Sequence, residues 1–395
     1  MKELIPYVPA LLMDFCLGIV ITNTAYFSTS LSLSATFIGV LMSFSTLLFT
    51  LFAIPFGKLS DRIGRSRLLS AGCFLITLVS LGLPQCQKGW HLVLVYPWVG
   101  LSQALFWPTY EAWLAERQGG GTLIQRLRLF NLFWCSGITL GPVMSSYLQR
   151  SPNPDFPFYL VSGCAVLNWL LISHQSKPTS ADLHPASNHV LDLANDRPAH
   201  RPTLFIYISR IANFASWFTL SILRSLTPKL TTEKMGVSPT QYGHFIMLMG
   251  SVQLATYIWY GAKRSARWHY KLPPLFLPQV VTAISLFILG WFYHPQLWMI
   301  AFALFGISTA TTYFSSMFYS LVGNNNKGTQ AGWHEAILGI GVLLGPLVGG
   351  WLADLSNNPQ SPYLLCSGLM SGLLVVQVGI WLTMRNSNKT DQPAQ

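Results

Sequence analysis

Charge is what this sequence has least of. Asp, Glu, Lys and Arg make up 9% of its 395 residues, against roughly 25% in an average soluble domain, and a water-facing surface cannot be assembled from so few. Metal-ligand spacing is also missing. Cys16, Cys73, Cys86, Cys135, Cys164 and Cys366 are scattered, mostly inside apolar runs, without a C-x-x-C pair, and read as small hydrophobic residues. His334-Glu335 opens like a zinc-protease motif, but Leu338 stands where the second histidine is needed. Gly119-Gly120-Gly121 lacks a following Lys-Ser or Lys-Thr, so it is a flexible loop and no phosphate cradle for ATP. No catalytic group, metal or cofactor is expected, and the chain is not expected to be an enzyme.

Apolar length is what the chain has instead. Hydrophobic residues make up 51% and aromatics 13%, with 14 Trp, a composition suited to bilayer interfaces and an internal cavity. A helix needs about 20 apolar residues to cross the hydrocarbon core. Such stretches predict spans at 6–28, 36–56, 68–86, 91–113, 127–149 and 157–175, then at 203–226, 241–262, 272–292, 296–322, 331–354 and 362–384. The first apolar run is too long for a signal-peptide core and is expected to remain as a span.

The net charge of +11 would suit nucleic acid if it formed one basic face, but the basic residues fall in short segments between apolar runs. Positive-inside topology accounts for them, and no nucleic-acid partner is expected. With both termini cytoplasmic, only Lys88, Arg150, Arg224, Lys229 and Lys234 fall on the opposite side and Arg210 inside the seventh span. The remaining Lys and Arg are cytoplasmic. The expected location is the inner cell membrane, multi-pass, with lipid as the main solvent and a monomer as the working unit.

The two halves repeat. LSATFIG at 33–39 matches VSPTQYG at 237–243, Gly141-Pro142 matches Gly345-Pro346, Gly57 matches Gly261, and Tyr159-Leu160 matches Tyr363-Leu364, all at one displacement. Four matches in register mark a duplicated unit. The predicted organisation is an N-terminal six-helix bundle at 1–175, a cytoplasmic linker at 176–202 rich in Pro, Ser, His and Asp, a C-terminal bundle at 203–386 and a tail at 387–395. Parallel repeats of six spans are a known transporter plan, with the substrate near mid-membrane between the halves.

After the second span the chain reads Gly57-Lys58-Leu59-Ser60-Asp61-Arg62-Ile63-Gly64-Arg65-Ser66-Arg67. This segment closely resembles the signature loop of the major facilitator superfamily. The resemblance implies an all-α membrane protein with twelve transmembrane helices in two pseudo-symmetric six-helix bundles. It also implies a cytoplasmic gate at Gly57, Asp61, Arg62, Gly64 and Arg65, in which Asp61 meets a helix N-terminus. The second copy, Gly261 to Arg267, has Ser265 in place of the acid. Gly137, Gly141 and Pro142 in the fifth span resemble the motif of proton-coupled antiporters, and Gly341, Gly345, Pro346 and Gly349 in the eleventh repeat it. These are expected to act in hinge motion and close helix packing. Tyr96 precedes Gly100 where the drug-antiporter branch carries an arginine.

Ionisable groups inside membrane helices are expensive and usually face a cavity. Asp14, Glu111, Arg210 and Glu335 are the candidates, with Asn131 at the repeat position of Glu335 and Trp107 and Trp217 as stacking surfaces. Each has a structural alternative: Asp14 as a helix-pairing group, Glu111 as a shallow residue reaching water, Glu335 as complement to its helix N-terminus, Asn131 as polar glue. By the family resemblance the first, fourth, seventh and tenth spans line the cavity, which favours Asp14, Glu111 and Arg210. A carboxylate whose contact with water changes can bind and release a proton. The expected function is secondary active transport by alternating access, with protons as coupling ion and export of small molecules; the alternative is an uptake symporter for a sugar or organic anion.

Overall fold

The computed structural model describes residues 4–116, 123–175, 202–260, 270–321 and 327–390. The linker at 176–202, apart from Pro202, the triple glycine, the second signature copy and the end of the tail lie outside the described residues. The first half contains α1 (Val8–Ser30), α2 (Ala35–Ile63), α3 (Arg65–Gly82), α4 (Gly89–Val95), α5 (Trp98–Glu116), α6 (Leu123–Leu148) and α7 (Phe156–Gln175). The second contains α8 (Pro202–Ser225), α9 (Thr227–Lys234), α10 (Pro239–Tyr260), α11 (Leu272–Leu289), α12 (Pro295–Leu321), α13 (Lys327–Ser356) and α14 (Ser361–Thr390). No strand occurs among the described residues. Setting aside the short α4 and α9, twelve long helices remain, one for each predicted span, and eight of them are long and apolar enough to cross a membrane by length and composition.

Helix is the only open structure in which lipid-facing backbone satisfies its own hydrogen bonds. It survives here across Pro55, Pro108, Pro142, Pro278 and Pro346, which all lie inside helices. Ser34 starts α2 as an N-cap, its hydroxyl accepting from the Phe37 amide at 3.1 Å. Gly64 ends it: with φ of +98° it takes a conformation that costs other residues strain, and it is the single residue between α2 and α3. Gly57, expected to open the loop after the second span, lies inside α2.

The packing is the same in both halves. Within the first, α1 lies against α6, α2 against α5 and α3 against α7; within the second, α8 lies against α13, α10 against α12 and α11 against α14. The halves meet along α2 with α13 and α6 with α10, partners that the repeat exchanges. Gly137 packs on the Leu11 carbonyl and its repeat mate Gly341 on the Phe214 carbonyl, within one residue of the same displacement. Two six-helix bundles related by a pseudo-twofold axis therefore form the molecule.

Two spans are discontinuous. The fourth breaks between α4 and α5 at Tyr96-Pro97, and the seventh between α8 and α9 at Leu226, with Pro228 opening the next turn. The second break adds to the sequence reading. Arg224 and Lys229, expected on the side opposite the termini, are 8% and 4% exposed, because the chain continues as helix beyond 226 and keeps both inside the protein. Lys229 pairs there with Glu233 one turn on.

Candidate functional site

The end of the bundle at which α1 finishes and α2 begins, called the far end here, is held shut by polar bonds between the halves. Asp354, near the end of α13, accepts from the Ala35 and Thr36 amides at 3.2 and 2.7 Å, so a carboxylate of one half caps a helix of the other. Thr36 donates to the Gly350 carbonyl at 3.3 Å, and Ser43 to the Leu343 carbonyl at 2.6 Å. The Tyr147 hydroxyl and His244 Nε2 lie 2.6 Å apart. These five hydrogen bonds join the halves directly at this end. Beneath it, the Tyr26 and Tyr242 rings meet edge to face at 6.4 Å.

Glycines bring the backbones together along the same faces. A methyl group on Gly39 would strike the Pro346 carbonyl, one on Gly350 the Ala35 carbonyl, and one on Gly250 the Thr139 side chain. Gly141 sits equally tightly on α1 at Phe15 and Gly18, and Gly345 on α8 at Phe218 and Ser221. Gly349 faces Ile222. Pro142 contacts Gly18 and Pro346 contacts Gly39, so the predicted packing glycines and prolines all lie where one helix approaches another closely.

Between the halves, below the far-end seal, Asp14 of α1 is 6% exposed and has no hydrogen bond or ion pair among the described residues. Arg224 of α8 lies within electrostatic range of it and near Cys135, Tyr242 and Tyr257. Arg224 Nε and Nη2 donate to nothing. Asn213 and the Trp217 indole nitrogen of α8 and Gln253 Oε1 of α10 are also buried without partners. Arg210, Asn213, Trp217 and Arg224 recur at helical spacing, so one stripe of α8 carries all four. Rings close the next layer: Tyr313 of α12 meets Trp134 at 5.9 Å, Trp217 at 5.9 Å, Tyr257 at 6.2 Å and His334 at 5.1 Å, joining α6 of one half to four helices of the other.

The remaining candidates lie apart from that pair. Glu111 of α5 and Glu335 of α13 are both solvent-accessible, Glu335 at 55% of its side chain, and each lies within range of the other's charge. His334 beside them is buried, with Nδ1 2.8 Å from the Ser316 hydroxyl and Nε2 3.9 Å from Glu335. Arg210 reaches the Ser320 hydroxyl at 3.3 Å and sits within electrostatic range of His334. Asn131 accepts from the Trp134 indole at 2.8 Å. Trp107 packs among Phe106, Tyr110 and Phe130, away from Trp217. Asp14, Glu111 and Arg210, expected around one cavity, thus divide between a buried middle layer and an open mouth nearer the chain termini.

Of the predicted cytoplasmic gate, Gly64 makes the turn already described. Arg65 hydrogen-bonds Ser60, whose hydroxyl donates in turn to the Gly57 carbonyl at 2.6 Å, and Arg62 is exposed. The Asp61 side chain lies outside the described residues. Arg224, inside the predicted seventh span, is not among the candidates read from the sequence, although the helical spacing of Arg210, Asn213, Trp217 and Arg224 is visible there.

Comparison with known proteins places this geometry among transporters. The sequence pattern described as Major Facilitator Superfamily matches residues 8–322 and 210–395. The uncharacterized MFS-type transporter YqjV of Bacillus subtilis is 25% identical over 354 residues, covering 87% of this chain and 83% of its own. The quinolone resistance protein NorA of Staphylococcus aureus is 20% identical over 373 residues, 92% of each chain. Among solved structures, a bacterial homolog of the human lysosomal transporter Spinster, inward-facing and unoccupied, superimposes with a TM-score of 0.72 at 13% identity, covering 99% of this chain and 98% of that one.

Proposed function

Because the chain belongs to the Major Facilitator Superfamily, and is thus a multi-pass membrane transporter and not an enzyme, we propose that it is a proton-coupled secondary carrier of small organic molecules working by alternating access. The observation that carries the reading is Asp14, a carboxylate without a partner in the layer between two bundles that are sealed at one end. An isolated ionised carboxylate is costly in such a place. A proton taken from one side and given up on the other resolves that cost in each state.

In this reading the two bundles, 1–175 and 203–386, rock about the contacts of α2 with α13 and α6 with α10. The packing glycines set the close approach, and the Gly57–Arg65 segment with Asp61 latches the end nearer the termini. Glu111 and Glu335 act as a second acidic station at the mouth, with Arg210, Asn131 and Trp107 on that side, while Trp217 belongs to the buried layer with Arg224. The carrier works as a monomer in the inner membrane with both termini in the cytoplasm.

Export has the likeness to NorA in its favour. Uptake by proton symport has Arg224, because an anion and a proton that bind side by side travel together. The test of coupling is flux in proteoliposomes with and without a pH gradient, across a panel of organic anions, neutral compounds and cations. Gradient-driven movement of at least one class is expected. Its loss in Asp14→Asn, with counterflow exchange retained, assigns the proton to Asp14; gradient dependence unchanged in that variant overturns the assignment.

A further inference from the structure

Arg224 stands on α8 just before the seventh span breaks, and discontinuous helices are where transporters of this kind build their binding sites. The guanidinium is 8% exposed, and two of its nitrogens are buried without a hydrogen-bond acceptor. Were it present only to complement the carboxyl end of α8, it would hydrogen-bond the last carbonyls there. A buried cation left unpaired is strongly destabilising. A fold that keeps one is holding a place for an acceptor.

Asp14 is not that acceptor in this structure. The two feel each other's charge but form no ion pair. The other titratable groups near Arg224 are Cys135 of α6 and Tyr242 and Tyr257 of α10, and none is an anion at neutral pH in water. Tyr257 also belongs to the ring cluster with Tyr313, Trp217 and Trp134. The missing partner therefore carries an oxyanion at one end, suited to the planar fork of an arginine, and a flat apolar body for the rings.

We infer that Arg224 is the anion-binding residue of the transport site and that the substrate class is a small organic anion with an aromatic ring, its carboxylate or like oxyanion on Arg224 and its ring against Tyr257, Tyr313 and Trp217. Loading requires the packing around Arg224 to open, since both unpaired nitrogens are closed off in this state. The inference rests on the carrier reading and adds a direction to it. An anion on Arg224 and an ionised Asp14 repel each other, so the complex forms with Asp14 protonated and the two cargoes move the same way.

The experiment uses purified full-length protein in nanodiscs, with benzoate and 2-naphthoate as probes and benzamide and 2-naphthamide as neutral isosteres. Ligand-induced thermal shift and quenching of tryptophan fluorescence report binding, since a ligand of the folded state raises its apparent stability. The expected result is a preference for acid over amide in the wild type that falls at least tenfold in Arg224→Gln and is partly kept in Arg224→Lys. Should Arg224→Gln fail to fold, Arg224→Lys against wild type carries the comparison, because a lysine lacks the bidentate fork. An undiminished acid preference in the folded variant, or no binding of either acid by wild type, overturns the inference. Proteoliposome flux keeps the two readings apart: gradient-driven movement of neutral compounds or cations alone sinks the anion site and leaves the proton-coupled carrier standing. No gradient-driven flux of any class sinks the carrier reading itself, and acid binding that depends on Arg224 would still stand.

Discussion

Replacing Asp354 should loosen the far end by an amount the structure allows to be worked out. Its carboxylate accepts two backbone amides at the start of α2, and both bonds exist only while the halves are together there. Removing a cap of this kind costs about 0.5–2 kcal/mol, and the charge at a helix N-terminus contributes about 0.3–1 kcal/mol of that type of stabilisation. A change of one to two kcal/mol shifts a two-state ratio about 5–30-fold. Asp354→Ala should therefore raise the population open at the far end by about that factor, and Asp354→Asn, which keeps an acceptor oxygen but loses the charge, by less. Ser146 is fully buried under the seal, beside Gly243 of the other half, and a cysteine placed there reports opening through its maleimide labelling rate, read against the same protein without it. Labelling within twofold of the parent in both variants, or faster in Asp354→Asn than in Asp354→Ala, would refute the reasoning.

Three further outcomes follow from the backbone. Gly100→Ala puts a methyl group onto the Ser45 carbonyl between α5 and α2, with backbone on both sides unable to yield, and should cut folded yield on size-exclusion chromatography severely. Gly64→Ala meets nothing within 4 Å but must hold φ of +98° with ψ of 139°, close to a region only glycine adopts readily, so it should lower stability by about 1–3 kcal/mol, measurable as a clear fall in thermal midpoint. Gly57→Ala, whose added carbon would lie 3.5 Å from Pro108 Cβ, an ordinary contact, should leave the midpoint within error or raise it, since alanine favours helix over glycine by about 1 kcal/mol.

The twelve helices were legible because lipid demands long apolar segments and the demand is the same in every span. The repeat was legible too, since glycines forced by backbone contact cannot drift: Gly39 and Gly243, or Gly141 and Gly345, are each pinned by the neighbouring helix. The site was harder to read. Arg224, Lys229, Glu233 and Lys234 crowd together, and a hydropathy window ends where such charges begin, so Arg224 reads as the outer end of the seventh span. Only the tertiary fold shows that α9 carries the seventh span onward and keeps the arginine inside. The far-end cap at Asp354 was equally hidden, because its partners are backbone amides more than three hundred residues away in the chain, and an amide leaves no mark in sequence.

The glycine contacts between the bundles have one more consequence. Where Gly39 lies on the Pro346 carbonyl and Gly350 on the Ala35 carbonyl, main chain rests on main chain, so α2 and α13 meet at these two points without a side chain wedged between them. Interlocked surfaces must dilate before they can turn, whereas these can roll over each other at nearly constant separation. Resistance to turning is then concentrated in a handful of polar bonds at one rim, so the rate at which the molecule exchanges its two openings should respond to those few atoms and hardly at all to the large apolar area that holds it together.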